Sequence, residues 1–277
     1  GAALSVCLLE KGAQIGAHIL SGAVLDPRAL DELLPGWRGD DGPAATPVAE
    51  ARFSLFESET GAKRVPGFFC PRLLGNRGNY LVSLGGLCRW LAARAEALGV
   101  EIFPGFPAAT ILYDDEGGVS GFATADMGVG AAGRHKPGYT PGLDLLAKYV
   151  VLAEGSRGHL GKQLILRFAL DRQADPQHYA IGFKELWRLD PARHRPGLVI
   201  HGAGWPLSGG ASGGSFLYHL GDNLAAVGLV VDLDYQNPYL DPYAEFQRMK
   251  HHPVFRECLE GGERLGYGAR SITKGGH

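Results

Sequence analysis

Apolar residues follow two different spacings over the first hundred positions, and each spacing predicts a different element. Residues 4–9 form a near-continuous apolar run that ends at Glu10, which is typical of a strand buried on both faces of a parallel sheet. Leucine and alanine recur at helical spacing over 84–98, and Gly99 follows as a stop, so we predict a helix there. A strand is predicted directly after it, over 100–103.

Shorter patterns lie between these two regions. Asp26 and Pro27 precede leucines at 30, 33 and 34, which predicts a short amphipathic helix that ends before Pro35. A loop rich in Gly, Pro and Asp covers 36–47, and a strand is predicted over 51–56.

The middle of the chain predicts a hairpin and then a strand that turns into a helix. The strands 110–113 and 119–125 flank the turn sequence DDEGG. The largely apolar run 147–153 predicts another buried strand, which ends at Glu154 and Gly155 and leads into a helix near 158–168. A strand, a tight glycine turn and a helix in this order are typical of nucleotide sites.

The second half changes character. Four successive strands over 179–189, 198–203, 214–220 and 223–232 predict one antiparallel sheet. A helix over 241–251 follows, capped by Asp241 and started by Pro242. The predicted fold class is therefore mixed α/β: a parallel nucleotide-binding sheet joined to an antiparallel sheet.

Composition narrows the function classes. The chain has 277 residues, 45% of them hydrophobic and 20% charged, with a formal net charge of -2. It has no basic stripe that would neutralise nucleic-acid phosphates, and no run of roughly 18 apolar residues that would span a membrane. Its four scattered cysteines form no CxxC pair, which disfavours a zinc or iron-sulfur site within this segment.

Two turns carry candidate chemistry. A carboxylate such as Glu10 at the end of a strand can accept hydrogen bonds from both hydroxyls of a ribose, although many strands end in Glu by chance. The turn from Glu154 to Gly158 could bring its backbone close to a phosphate or a flavin, or could simply connect a strand to a helix. His251 and His252 are adjacent on a helix and point in different directions, so we do not predict a metal site there.

Seven segments together resemble one known family. They are SVCLLEKGAQIGAHILSGAVLDPRALDELLPGW, GNYLVSLGGLCRWLAARAEALGVEIFPGF, VVLAEGSRGHLGKQL, IGFKELW, GGSFLYHL, VVDLDYQNPYLDPYAEFQRMKHHP and LEGGERLGYGARSITKGG. In this order they closely resemble electron transfer flavoprotein:ubiquinone oxidoreductase, from Ser5 to Gly276. The resemblance implies an FAD/NAD(P)-binding Rossmann-like domain with an inserted antiparallel-sheet quinone-binding domain.

Members of this family carry a GxGxxG strand that holds the FAD pyrophosphate and a cysteine-ligated [4Fe-4S] cluster. No GxGxxG precedes the strand that ends at Glu10, and the sequence has no cysteine cluster, so we expect the chain to be an internal part of a longer protein and the isolated fragment to be inactive. The resemblance implies domains at 1–175 (FAD-binding, partial and interleaved), 176–260 (antiparallel sheet, ubiquinone-binding) and 261–277 (start of the return to the FAD domain).

The resemblance also assigns binding residues. Glu10 would bind the FAD adenosine ribose with Lys11 beside it, and the loop of Gly16, Ala17, His18, Leu20, Ser21 and Gly22 would approach the flavin. Gly155 and Gly158 would belong to a second turn over the nucleotide. The quinone site would include the amides of Gly213 and Gly214, and here the chain departs from the family, because Ser212 stands where an aromatic residue is expected.

The implied function is electron transfer from reduced electron transfer flavoprotein, through [4Fe-4S] and FAD, to ubiquinone. The segment 15–36 would dip into one leaflet of a bacterial cytoplasmic or mitochondrial inner membrane, although a core helix would show the same apolar pattern. Two alternatives stay open. One is an FAD-dependent reductase of the geranylgeranyl reductase type, and the other is a non-catalytic membrane-associated module.

Overall fold

The computed structural model describes residues 4–20, 22–39, 41–70, 74–156 and 158–274. The strands are β1 (Cys7–Glu10), β2 (Ala23–Leu25), β3 (Ala45–Pro47), β4 (Glu50–Phe56), β5 (Ala62–Val65), β6 (Tyr80–Val82), β7 (Glu101–Pro104), β8 (Ala108–Tyr113), β9 (Val119–Thr124), β10 (Met127–Val129), β11 (His135–Thr140), β12 (Asp144–Leu146), β13 (Tyr179–Arg188), β14 (Leu198–Gly204), β15 (Gly213–His219), β16 (Leu224–Asp232) and β17 (Glu263–Thr273). The helices are α1 (Arg28–Leu33), α2 (Leu84–Ala97), α3 (His159–Phe168), α4 (Pro242–His251) and α5 (Pro253–Leu259), with a 3₁₀ turn at Gly67–Phe69.

The chain divides into two compact units, each built from two separate stretches. The first unit is Gly1–Ala17 with Leu91–Asp175, and the second is His18–Trp90 with Pro176–His277. The domain boundaries implied by the family resemblance stay a prediction about function.

In the first unit, β1 and β7 pair in parallel, from Cys7 opposite Glu101 to Glu10 opposite Pro104. Strand β9 lies between β8 and β12 in a separate antiparallel sheet, and β10 pairs with β11. The predicted strand at the start of the chain is thus confirmed. Its predicted burial on both faces is wrong among the described residues, because Val6 and Leu8 remain 39% and 43% exposed.

The strand predicted over 147–153 is also wrong. The pairing of β12 with β9 ends at Leu146, and residues 147–156 form no strand. Tyr149 and Val151 are almost fully exposed. Apolar composition alone does not make a strand, since the backbone groups also need a partner ladder, and no described strand pairs with this segment. The helix predicted after it is confirmed as α3.

The second unit is organised around a seven-stranded mixed sheet with the order β17-β13-β16-β15-β14-β4-β5. Its four central strands are the four predicted from the sequence, and they pair antiparallel as expected. The sheet is wider than predicted: β17 adds antiparallel to β13, β4 adds parallel to β14, and β5 adds antiparallel to β4.

Two helices cover one face of this sheet. Phe246 and Met249 of α4 and Phe255 of α5 are buried against Val227 and Leu229 of β16. Asp241 caps α4 as predicted, because its carboxylate accepts hydrogen bonds from the first backbone amides of the helix. We call the opposite face, which carries Lys184, Phe216 and Val230, the distal face.

A buried carboxylate ties α4 to the sheet on the helical side. The side chain of Glu185 is 1% exposed and lies 2.8 Å from Lys250 Nζ and 3.4 Å from Arg264 Nη1. The indole nitrogen of Trp187 donates to the same carboxylate at 2.8 Å. Because these donors come from α4, β17 and β13, the ionised carboxylate links three elements of the unit.

A smaller sheet, β2-β6-β3, packs partly buried residues such as Val24 against Leu81, Val199 and Ala226. Helix α1 confirms the short predicted helix, and Asp26 accepts a hydrogen bond from the Arg28 amide at its start.

Candidate functional site

Glu10 lies at the carboxyl end of β1, as the sequence predicts. Its Oε1 accepts a hydrogen bond from the Gly12 amide at 2.6 Å, and its carbonyl oxygen accepts one from Phe106 at 3.1 Å. Gly12 in turn accepts from Gly105 at 2.8 Å. These bonds fix one carboxylate oxygen, and no described residue donates a hydrogen bond to the other oxygen, Oε2. Lys11 follows on the exposed side of this turn.

Gly16 lies in a tight turn in which Ala17 donates to the Gln14 carbonyl at 3.1 Å. Its φ of 77° lies in the left-handed region, where glycine is favoured. The sequence therefore places glycine here for a conformational reason, whether or not a ligand approaches.

The two glycines of the second turn have different reasons to be glycine. Gly155 has a φ of 78°, and a side chain built on it would meet no atom within 4 Å, so space is open beside its backbone. A Cβ on Gly158 would lie 2.4 Å from Glu154 Oε2. Gly158 is therefore required by a neighbouring side chain of this protein.

That neighbour, Glu154, occupies the start of α3. Its carboxylate accepts hydrogen bonds from the amides of Leu160 at 3.2 Å and Gly161 at 2.7 Å, and it lies 3.2 Å from His159 Nδ1. These amides are the donors that a phosphate at a helix start would use. A ligand phosphate at this turn would therefore have to displace the carboxylate or bind beside Gly155.

In the second unit, the backbone carbonyls of His18 and Gly22 lie beside two cations. Arg270 donates to the His18 carbonyl at 2.7 Å, and Lys184 donates to the Gly22 carbonyl at 2.6 Å. Gly22 has a φ of 100°, and a Cβ on it would lie 2.3 Å from Ala226 Cβ. The loop is thus held on the sheet by two cations and by one glycine contact. Ser21, which belongs to the same predicted set, lies outside the described residues.

Gly213 and Gly214 begin β15 at the margin of the sheet. A Cβ on Gly213 would lie 2.0 Å from the Val230 carbonyl oxygen, so no other residue fits without movement. The backbone amide of Asp232 donates to the Ser212 carbonyl. Since hydrogen-bonded and non-hydrogen-bonded pairs alternate in an antiparallel ladder, Gly214 bonds to Val230, and the Gly213 amide points away from β16 toward the β14 side.

Ser212, the departure from the family pattern, donates from its hydroxyl to Asp232 Oδ2 at 2.5 Å. The same oxygen accepts a hydrogen bond from Lys274 Nζ. Burial alone would raise the pKa of Asp232, but the hydrogen bonds from Lys274 and Ser212 outweigh it and lower that pKa. A polar cluster therefore stands directly before the glycine pair, where an aromatic ring was expected.

Other polar groups of the distal face were missed at the sequence level. His201 Nε2 lies 2.9 Å from the Tyr218 hydroxyl, and its Nδ1 lies 3.5 Å from the Asn76 side-chain nitrogen. Burial lowers the pKa of His201 and raises that of Tyr218, so both are neutral at pH 7. Single polar residues inside otherwise apolar strands, such as Lys184 and His201, are the sequence signal that could have revealed this face.

The predicted membrane segment shows a mixed surface. Of the apolar side chains in the segment 15–36, Leu33 is 70% exposed and Ile19 is 36% exposed, whereas Leu30 is buried. Two further aromatic residues, Phe68 and Phe69, are strongly exposed with ring centres 4.3 Å apart. No helix among the described residues is long and apolar enough to cross a membrane.

Among the described residues no three His, Cys, Asp or Glu side chains are placed to hold a metal ion. All four cysteines are free thiols.

Known proteins resemble this chain at the levels of sequence and fold. A family profile for the ubiquinone-binding part of ETF-QO matches residues 179–272. The electron transfer flavoprotein-ubiquinone oxidoreductase of Pseudomonas aeruginosa is 56% identical over 277 residues, which is 100% of this chain and 50% of that protein. The mitochondrial protein of that name from Homo sapiens is 52% identical over 276 residues, which is 99% of this chain and 44% of that protein.

Solved structures show the same fold at low identity. A geranylgeranyl bacteriochlorophyll reductase-like protein from Thermoplasma acidophilum matches with a TM-score of 0.67 and 16% identity, over 97% of this chain and 60% of that one. A flavoprotein/dehydrogenase from Cytophaga hutchinsonii matches with a TM-score of 0.61 and 16% identity, over 98% and 61% of the two chains. At these identities the likeness shows the fold alone, and it confirms the predicted mixed α/β, Rossmann-like class.

The present chain spans about half the length of the curated relatives that it matches. Because the sequence match extends over the whole chain at more than half identity, the predicted resemblance to electron transfer flavoprotein-ubiquinone oxidoreductase is confirmed.

Proposed function

We propose that this chain forms part of an enzyme that transfers electrons from reduced electron transfer flavoprotein to ubiquinone. The observation that carries the proposal is the 56% identity over the whole chain to a protein of that name, together with the ubiquinone-binding profile over 179–272. The reductase-like protein of known structure shares the fold at 16% identity and supports the alternative reductase function less strongly.

FAD is the proposed cofactor, and the residues of the first unit fit it in two places. Glu10 has one carboxylate oxygen left for a ribose hydroxyl, and Gly155 has open space beside its backbone. FAD, when bound, supplies the electrons that reduce the quinone. In the second unit, His18 and Gly22 belong to the loop proposed to approach the flavin, and their carbonyls are held by Arg270 and Lys184.

The [4Fe-4S] cluster would be ligated outside this segment. The enzyme would bind peripherally to a bacterial cytoplasmic or mitochondrial inner membrane, through the exposed side chains of the segment 15–36, among them Ile19 and Leu33.

For the quinone, we propose that the Gly213 amide donates a hydrogen bond to one ring carbonyl. This amide points out of the β15–β16 ladder, whereas that of Gly214 is used within it. Gly213 is exposed, so a ligand can reach this backbone from solvent. Ser212, held by Asp232, leaves this approach open but offers no ring for stacking.

The test is a titration of the chain with ubiquinone-1, a short-chain ubiquinone, followed by quenching of tryptophan fluorescence. We expect saturable binding that weakens about tenfold or more in Gly213→Ala, because its Cβ would lie 2.0 Å from the Val230 carbonyl oxygen and so displaces the amide from the quinone. A hydrogen bond lost in this way is worth about 1.4 kcal/mol. Gly36→Ala is the matched control, since a Cβ there meets nothing within 4 Å.

A second variant keeps the test informative if Gly213→Ala does not fold. Ser212 is exposed, so Ser212→Tyr has room at the surface and supplies the aromatic ring expected in the family, although it removes the hydrogen bond to Asp232. We expect tighter ubiquinone-1 binding from ring stacking. Absence of saturable binding to the wild-type chain, or equal affinity in all four proteins, would contradict the proposed quinone site.

A further inference from the structure

Lys184 is a half-buried cation whose charge is not neutralised within the described part of the chain. It lies in the middle of β13 on the distal face. Its ammonium donates to the Gly22 carbonyl at 2.6 Å and lies 5.5 Å from the centre of the Phe216 ring. Among the described residues it forms no ion pair with a carboxylate.

A second half-buried lysine shows the ordinary solution to the same problem. Lys250 forms an ion pair with the buried carboxylate of Glu185 at 2.8 Å. A buried ammonium without an anion is unfavourable, because a single carbonyl dipole replaces little of the lost hydration. Burial accordingly lowers the pKa of Lys184. The half-buried ammonium of Lys184 therefore indicates that a bound ligand brings a negative charge beside it.

The surface next to Lys184 suits a flat ring. Gly228 is its neighbour on β16, and a Cβ there would lie 2.3 Å from Phe216 Cζ, so the end of the Phe216 ring covers the glycine. Gly214 and Val230 continue the same face one step along the strands and are half-exposed. A conjugated ligand ring can stack on Phe216 within reach of the ammonium.

We propose that Lys184 stabilises the negative charge that develops on a carbonyl oxygen of a conjugated ring during reduction, a property that flavins and quinones share. The inference rests on the proposed function. A quinone takes up two electrons from reduced flavin and two protons from solvent to become the quinol, and charge resides on its oxygen when an electron precedes its proton. Lys184 keeps its own proton and acts through its charge.

A purely structural role is the competing account, in which Lys184 only ties the loop at Gly22 to the sheet. Arg270 provides the matched control, because it ties the same loop at His18 by a cation-to-carbonyl hydrogen bond. Arg270→Met removes a loop tie without removing the charge beside Phe216. Lys184→Met removes both the tie and that charge, and Lys184→Arg keeps the charge.

The experiment measures preference for an anion over a matched neutral ring. The chain is titrated with 2-hydroxy-1,4-naphthoquinone, which is an anion at neutral pH, and with its neutral 2-methoxy analogue. A second arm compares dithionite-reduced FAD with oxidised FAD under argon. We expect the wild type and Lys184→Arg to prefer the charged form, Lys184→Met to lose about tenfold or more of that preference, and Arg270→Met to keep it.

Each outcome decides the matter. If the preference for the anionic naphthoquinone depends on Lys184, the stabilised charge is that of the quinone. If the preference for reduced over oxidised FAD depends on Lys184, the stabilised charge is that of the flavin. A tenfold change in the second preference corresponds to about 30 mV in a two-electron potential. Equal preference in Lys184→Met and wild type, or no binding of either charged probe, overturns the inference. Failure of the proposed quinone site is seen separately, as loss of neutral quinone binding or its insensitivity to Gly213→Ala.

Discussion

His219 makes the folded state sensitive to acid. Its side chain is fully buried in β15, where Nδ1 accepts a hydrogen bond from the Arg195 amide at 3.1 Å. Its Nε2 has no hydrogen-bond partner among the described residues. Burial, and then the positive charges of His194, Arg195 and Arg52, lower the pKa of His219 to about 4.

The magnitude follows from the difference between the folded and unfolded states. An unfolded histidine has a pKa of about 6.5, so between about pH 6.5 and 4 the unfolded chain binds a proton that the folded chain does not. The stabilisation is fully present above pH 6.5 and is lost as the pH falls toward 4. The full loss is about 3.4 kcal/mol, of which about 2 kcal/mol has occurred at pH 5.

Urea denaturation of the wild type and of His219→Asn at pH 7 and pH 5 measures this loss. Asn keeps a hydrogen-bond acceptor close to the Arg195 amide but does not titrate. We therefore expect the free energy of unfolding to fall by about 2 kcal/mol less in the variant than in the wild type over this range.

The absolute stability of His219→Asn will be lower at both pH values because of the smaller side chain, and only the difference between the two pH values enters the test. His251→Asn, an exposed substitution on α4, is the control and should fall as steeply as the wild type. An equally steep fall in His219→Asn would refute the assignment of acid sensitivity to this residue.

Three further predictions concern single side chains of the second unit. Gly213→Ala should lower the midpoint of urea unfolding as well as weaken quinone binding, because its Cβ would lie 2.0 Å from the Val230 carbonyl oxygen; an unchanged midpoint would show that the strand shifts freely. Glu185→Gln should lower the free energy of unfolding by about 3–5 kcal/mol by leaving Lys250 buried without its anion, and a loss below 1 kcal/mol would mean that solvent reaches the site. Asp241→Ala should remove the cap of α4 and about 1 kcal/mol, measured by the same denaturation, and an unchanged value would mean that another group satisfies the amides.

The elements with strong periodicity were predictable from the sequence. The structure confirms the helix at 84–98, the hairpin around 114–118 and the four central strands of the large sheet. Each of these elements shows a clear apolar pattern, because its contacts are within the element or with elements close to it in sequence. The outer strands β5 and β17 of that sheet were not predicted, because β5 carries two charged residues and β17 is rich in small and charged residues, so neither shows an apolar stripe. Their pairing is decided by distant partners.

The predicted strand at 147–153 shows the opposite error, since its composition is apolar but no described strand pairs with it. The candidate site was predictable only in part. The positions of Glu10 and the glycines could be read from motifs, whereas the distal face depends on Lys184, His201 and Tyr218, which only the sheet register brings together. The assigned binding residues themselves stay a prediction.

The parallel pairing of β4 with β14 also has a consequence for the order in which the protein can fold. Glu50 pairs with Leu198, about 150 residues later in the chain, and the whole of the first unit's second stretch is synthesised between them. Contacts of such long sequence separation form slowly, since the loop-closure entropy must be met before the contacts stabilise the chain. At ordinary translation rates of about 5–20 residues per second, the β4–β5 hairpin waits for roughly 7–30 seconds without β14, the strand that β4 pairs with. This nascent hairpin, and not the finished sheet, is where chaperone binding or aggregation is expected to begin.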